Sequence, residues 1–230
     1  MVNINIDNIK SVYFVGAGGI GMSALVRYFL SKGKLVAGYD RTPSELTECL
    51  IAEGAQIHYE EDVHLIPEAC RDRENTLVVL TPAVPQEHEE LTYFRDNGFE
   101  IQKRAQVLGT ITHSSKGLCV AGTHGKTTTS SMLASTLDAM GFDPTFLIGG
   151  IVRAYGSNAH CGKGEYYVVE ADESDKSFTY LDPTSVLVTN IEADHLDHYS
   201  GLDEIYQLFG DFMGSVHEDG CCVVCGEDAG

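Results

Sequence analysis

Basic residues are scarce in this chain. Lys and Arg number 15 against 34 Asp and Glu, a formal net charge of −19 over 230 residues. Nucleic acids and anionic membranes select for the opposite excess, so neither is an expected partner. Long apolar runs are missing as well, and none approaches the ~20 residues that a membrane-spanning helix needs. The start, Met1 to Asp7, lacks a basic stretch followed by an apolar one, so it does not read as a signal peptide. No internal repeat or low-complexity tract is evident. These absences lead to the expectation of a soluble, cytoplasmic chain.

Cysteines are present but odd in number: Cys49, Cys70, Cys119, Cys161, Cys221, Cys222 and Cys225. Most lie within apolar segments, which suits free thiols in a reducing compartment. Cys222-Val-Val-Cys225 has a C-x-x-C spacing, but it sits on what reads as a buried strand with no second pair beside it. A metal or redox role is therefore not the expectation. The hydrophobic fraction of 43% is enough for a real core, and 24 glycines put glycine above its usual ~7%.

Strand and helix alternate along the chain. Val12 to Val15 is an apolar run ending at Gly16. Met22, Leu25, Val26, Phe29 and Leu30 then form a helical stripe, stopped at Gly33. Leu35 to Tyr39 reads as the next strand. Thr42-Pro43-Ser44-Glu45 reads as a capping box with proline at the first helical position, opening a helix that ends near Gly54. Thr76 to Thr81 is an apolar strand, and a helix ends at Gly98. Lys103-Arg104 looks like a basic turn at a domain junction. A second series follows: a strand at Leu118–Ala121, then a helix from about Thr127 with Met132, Leu133, Leu137 and Met140 on one face. Further strands are expected at Phe146–Ile148, Tyr166–Val169, Val186–Val188 and Cys222–Val224. The expected fold is α/β: a Rossmann-like parallel-sheet domain over 1–103, then a truncated P-loop ATP-binding α/β domain over 104–230. The chain reads as the front part of a longer polypeptide, unable on its own to make a product.

Two glycine loops carry the chemistry. The first is Gly16-Ala17-Gly18-Gly19-Ile20-Gly21, between a strand and an amphipathic helix. Its glycines let the backbone approach an anion at a helix N-terminus. Asp40 ends the next strand, where a dinucleotide-binding domain places its ribose-holding acid. Taken alone, this pattern points to NAD. The second loop is Gly122-Thr123-His124-Gly125-Lys126-Thr127-Thr128. The full P-loop pattern asks for glycine where this chain has Val120, so the match is to a shortened form. Backbone N–H groups can cradle phosphates, Lys126 can sit on the β/γ-phosphates, and the Thr127 hydroxyl can ligate Mg²⁺. Glu170 ends an apolar strand, the place from which P-loop proteins bring a carboxylate to magnesium. Asp172, Glu173 and Asp175 follow; they are either ligand contacts or a solvated acidic turn. His195 also follows an apolar strand. Thr127, Glu170 and His195 could therefore converge on a metal at one sheet edge.

At this point the sequence resembles the Mur ligases of peptidoglycan synthesis. The matching stretches are Val15 to Ser23, Ala121 to Thr129, Glu170 to Asp175 and Thr189 to His198, in the family's order. Ala17 stands where members usually have Ile, and Thr81-Pro82-Ala83 stands for a common Ser-Ser-Ala. The resemblance reassigns the first loop from a dinucleotide to a UDP-sugar. It implies that Gly18, Gly19, Ile20 and Gly21 line a diphosphate site, with Asp40 and Arg104 on the sugar-nucleotide side. It implies ATP bound through Gly122 to Thr128, Mg²⁺ held by Thr127 and Glu170, and a second Mg²⁺ at His195. Lys126 and His195 would be catalytic. The implied substrates are UDP-N-acetylmuramic acid and L-alanine, joined through an acyl phosphate, with the alanine-selecting residues mostly in a third domain. Three alternatives stay open: a relative that joins a peptide in murein recycling, a more distant folylpolyglutamate synthase, and an NAD-dependent oxidoreductase or nucleotide sensor. The NAD alternative leaves Lys126 and Glu170 unexplained. Oligomeric state is not legible.

Overall fold

The computed structural model describes residues 6, 8–173, 176–193, 199 and 201–226. The chain divides into two compact units, Met1–Val107 and Leu108–Gly230. The first therefore runs a little beyond the boundary expected at 103/104.

In the first unit the order is β1 (Ser11–Val15), α1 (Ile20–Ser31), β2 (Leu35–Tyr39), α2 (Glu45–Ala52), β3 (Gln56–His58), β4 (Thr76–Leu80), α3 (Glu89–Asp96) and β5 (Glu100–Lys103). The sheet order is β3-β2-β1-β4-β5, and every pairing is parallel. The chain reverses direction between β1 and β4, and a crevice at such a reversal is where open α/β sheets bind ligands. Tyr13, Val15, Val78, Leu91 and Phe94 form a core between the sheet and α3. Burying each such side chain contributes about 1.5–3 kcal/mol.

Two local expectations differ from the structure. The α2 cap is Ser44, not Thr42, so Pro43 precedes the helix. Ser44 Oγ accepts from Thr47 N at 3.2 Å, and Thr47 Oγ1 accepts from Ser44 N at 2.9 Å. Thr47 thus does the work usually done by Glu or Gln at that position. Lys103-Arg104 is no turn, because Lys103 closes β5 and Arg104 opens α4 (Arg104–His113). The short strands β3 and β5 were not legible at all.

Under α3 lies a buried polar chain. Tyr13 Oη donates to Glu90 Oε2 at 2.7 Å and lies 2.8 Å from His58 Nε2. Glu90 Oε1 accepts from Asp62 N at 3.3 Å, and His58 Nδ1 lies 2.8 Å from Glu60 O. Nearby, His88 is buried with no hydrogen bond to either ring nitrogen among the described residues.

The second unit contains β6 (Lys116–Ala121), α5 (Lys126–Ala139), β7 (Thr145–Val152), β8 (Ser157–His160), β9 (Tyr166–Glu170), β10 (Ser185–Val188), α6 (Leu202–Gly214) and β11 (Cys222–Val224). Its sheet order is β11-β10-β6-β9-β7-β8. Only the β7–β8 pair is antiparallel. The sequence reading passed over β8 and α6. It also misplaced the buried face of α5: Met132 and Met140 are exposed, while Ser130 and Ala134 are buried and Leu133 and Leu137 pack on Phe146 and Val168. Nor is β11 a buried strand. It is the sheet edge, with Val223 and Val224 more than half exposed. Cys70 and Cys119 are buried, Cys161 is half-buried, and Cys49, Cys221, Cys222 and Cys225 are exposed; all are free thiols. No described helix is long and apolar enough to cross a membrane.

Candidate active site

The first glycine loop turns from β1 into α1. Gly16 N and Ala17 N both donate to Tyr39 O at 2.9 Å, tying the loop to the end of β2. Asp40 then uses both carboxylate oxygens: Oδ2 accepts from Gly18 N at 2.5 Å and Oδ1 from Thr42 N at 3.1 Å. A Cβ at Gly18 would come within 2.8 Å of Asp40 Oδ2 and of Thr47 Cγ2, which is why no side chain fits there. Asp40 therefore braces the loop, a task the dinucleotide pattern does not predict. Gly19 is the N-cap of α1 and supplies no side-chain cap, and the first turn of a helix carries N–H groups and the positive end of its dipole. The Arg104 side chain lies along Gly21; a Cβ there would be 3.2 Å from its Cδ and 3.4 Å from its Nε. Gly18, Gly19, Ile20, Gly21, Asp40 and Arg104 are thus gathered in the first unit.

The second loop turns from β6 into α5. Gly122 has φ +129, and a Cβ on it would run into the Thr189 hydroxyl and lie 2.9 Å from Asn190 O. Only glycine suits that backbone. The segment after β10 locks the loop from outside. Thr189 Oγ1 donates to His124 O at 2.6 Å, Asn190 Oδ1 accepts from His124 N at 2.9 Å, and Thr123 N donates to Asn190 O at 3.0 Å. Glu192 N donates to Thr123 Oγ1 at 2.8 Å. In sequence, the one sign of this role for Thr189 and Asn190 is their position directly after the apolar strand β10. Thr128 is exposed in the first turn of α5.

The parallel register of β6 and β9 sets Val120 beside Glu170, so β9 delivers its terminal acid at the mouth of this loop. Thr127 Oγ1 donates to Glu170 Oε1 at 2.9 Å and lies 3.1 Å from Oε2, which also accepts from Gly149 N at 2.8 Å. A hydroxyl and a carboxylate side by side are hard-oxygen donors, the kind that suit Mg²⁺. No cluster of three or more His, Cys, Asp or Glu is placed to hold a metal among the described residues. His195 and Asp175 lie outside the described residues.

Lys126 points into the loop. Its Nζ donates to Gly122 O at 2.6 Å, to Thr123 O at 3.3 Å and to Glu173 Oε1 at 2.9 Å. Glu173 is therefore no solvated turn residue: its side chain is 5% exposed. Burial pushes its carboxyl up from the usual range, and the Lys126 bond pulls the other way. Asp172 is half-buried, and its carbonyl accepts from Phe178 N at 3.0 Å.

Comparison with known proteins follows this division of the chain. Residues 11–116 match the profile of the Mur ligase family, catalytic domain, and residues 120–229 match that of the Mur ligase middle domain. Among curated proteins, a UDP-N-acetylmuramate–L-alanine ligase of Phocaeicola vulgatus is 56% identical over 96% of this chain and 48% of its own length. Its counterpart in Parabacteroides distasonis is 54% identical over the same shares. The chain thus spans about half the length of the curated relatives it matches. Among solved structures, a UDP-N-acetylmuramate-alanine ligase from Thermotoga maritima has TM-score 0.84 at 31% identity, over 95% of this chain and 49% of that one. A UDP-N-acetylmuramate:L-alanyl-gamma-D-glutamyl-meso-diaminopimelate ligase from Neisseria meningitidis has TM-score 0.85 at 27% identity, over 96% and 72%. On both its glycine-loop units, in sequence and in fold, the chain belongs to the Mur ligase family.

Proposed function

We propose that the protein carrying this chain is an ATP-dependent ligase that joins L-alanine to the carboxylate of UDP-N-acetylmuramic acid. The observation that carries the reading is the meeting of Lys126, Thr127 and Glu170 at the C-terminal ends of the paired strands β6 and β9. In the first unit, backbone N–H groups of Gly19, Ile20 and Gly21 bind the sugar diphosphate; Gly18, whose own N–H goes to Asp40, lets the backbone approach it, and Arg104 lies beside the turn. In the second, Gly122, Thr123, His124, Gly125 and Thr128 wrap ATP, and Lys126 neutralises its β/γ-phosphates. Mg²⁺ held by Thr127 and Glu170, with His195 on a second ion, would supply further positive charge there.

Two displacements follow. An oxygen of the sugar's carboxylate attacks the γ-phosphorus and ADP leaves, giving an acyl phosphate. The alanine amine then attacks the acyl carbon, the C–O bond to phosphate breaks, and the nitrogen loses a proton. Lys126 donates hydrogen bonds to the negative oxygens of the transferred group and so stabilises them. A chain of net charge −19 that holds two polyphosphates relies on such local positive points. These substrates are cytoplasmic metabolites, which favours a cytoplasmic site of action.

Lys126→Ala tests the reading. ATP-dependent product should fall by about 10³-fold or more, the scale of losing a transition-state charge contact, while UDP-N-acetylmuramic acid binding by calorimetry stays within twofold. Equal loss of both would refute separate sites. A second reading, a ligase that transfers a peptide, is favoured by the likeness to the N. meningitidis structure. Supplying L-alanine or the peptide to the same assay separates the two.

A further inference from the structure

We propose that Glu173 is the counter-ion that a nucleotide's phosphates must displace from Lys126, so that this carboxylate weakens nucleotide affinity. The inference rests on the nucleotide reading of the loop. An ammonium has three N–H donors. Here all three are spent inside the protein, on the carbonyls of Gly122 and Thr123 and on Glu173 Oε1. The two carbonyls belong to the loop itself and keep the lysine over its mouth. A phosphate oxygen can gain a full bond from Nζ only by taking the one that Glu173 holds.

Glu173 cannot easily move aside. Its carbonyl oxygen accepts from the Tyr199 hydroxyl and from Lys176 N at 3.0 Å, which fixes the backbone on which the side chain stands. The side chain is 5% exposed. Its second oxygen, Oε2, is buried with no hydrogen-bond partner among the described residues. Among the described residues Lys126 is its only ion-pair partner. A nucleotide entering the loop therefore strips a buried carboxylate of its cation and brings more negative charge beside it, and both effects oppose binding. The same pair keeps the lysine extended and in place while the loop is empty. Glu173 is thus a positioning residue whose cost appears as affinity.

The test is binding of ATP to the protein in EDTA, by calorimetry, so that no metal contributes. Glu173→Gln keeps the shape and removes the charge; it should tighten ATP binding at least tenfold, about 1.4 kcal/mol. Glu173→Asp draws the carboxylate back by one methylene and should tighten binding a few-fold, so either variant decides the matter if the other fails to fold. Structural damage would weaken binding, the opposite direction. Unchanged or weaker binding in a folded variant overturns the proposal. Absence of ATP binding by the unmodified protein, with or without Mg²⁺, overturns the nucleotide reading and the proposal with it.

Discussion

Glu90 gives a prediction whose size can be worked out from the structure. The residue is fully buried in the first turn of α3, between Tyr13 Oη at 2.7 Å and Asp62 N at 3.3 Å. Burial pushes its carboxyl up from 4.5 to about 7, against the pull of the Tyr13 and Asp62 bonds; the charges of Glu61 and Asp62 push it further up. Proton counting supports the direction. A carbonyl only accepts, so His58 Nδ1 must donate to Glu60 O, which leaves Nε2 without a proton when the ring is neutral. If Glu90 is then ionised, the single Tyr13 proton faces two acceptors. One added proton, on Glu90 or on His58, gives every bond in the chain a donor. The folded unit therefore holds a proton that the unfolded chain releases above about 4.5.

The sign follows by linkage. The folded value is raised, so stability is whole below about pH 4.5 and is lost as pH rises from there to about 7. The shift of about 2.5 units corresponds to about 3 kcal/mol at 1.36 kcal/mol per unit. Burial lowers His58 and His88 below their usual value, which acts in the opposite sense. Both residues are present in wild type and variant, so the difference between the two isolates Glu90. Urea unfolding of wild type and Glu90→Gln, followed by circular dichroism from pH 4 to 8, reads it. The variant should gain about 3 kcal/mol relative to wild type across that range. A difference that stays constant with pH, or that shrinks as pH rises, would refute the reasoning.

Two further outcomes concern the second unit. Gly122→Ala forces a side chain onto φ +129 and against the Asn190 carbonyl; it should cost about 2 kcal/mol of stability and abolish nucleotide binding, measured by urea unfolding and calorimetry. Asp182 accepts from His113 Nδ1 at 2.5 Å and from His217 Nε2 at 2.8 Å. Burial pushes its carboxyl up, but the two histidine bonds outweigh it and hold it below the usual range. Asp182→Asn should lose about 1 kcal/mol, and the loss should vanish as acid protonates wild-type Asp182 below its ordinary value of 3.8; a loss that persists there would count against the ion-pair account.

Much of this protein was written in local sequence. Apolar runs closed by Gly16, Asp40, Pro82 and Gly122 located β1, β2, β4 and β6, because a strand buried on both faces must be continuously apolar. The glycine loops were legible because close backbone approach and positive φ exclude other residues. Lys126, Thr127 and Glu170 could be named as a group because parallel strands end on one edge, and their register brings Thr127 within 2.9 Å of Glu170. What sequence left open depended on partners distant along the chain. The three-residue strand β3 has little period of its own and exists because β2 offers it hydrogen bonds. The face of α5 was misjudged because hydropathy favours Met132 and Met140 inside, whereas Ser130 and Ala134 are small enough for the helix to sit on β7 and β9.

The carboxylates show the division most plainly. Asp40 and Glu173 are acids near glycine loops, and nothing in their neighbours distinguishes a ligand contact, a brace or a solvated turn. Tertiary structure decided it by distance and burial: Asp40 accepts from Gly18 N, and Glu173 is shut away against Lys126. Sequence determined which backbone conformations and which charges were available. The fold decided which charge met which donor, because electrostatic pairing depends on separation through space and on exclusion of water, and neither is a property of adjacent residues.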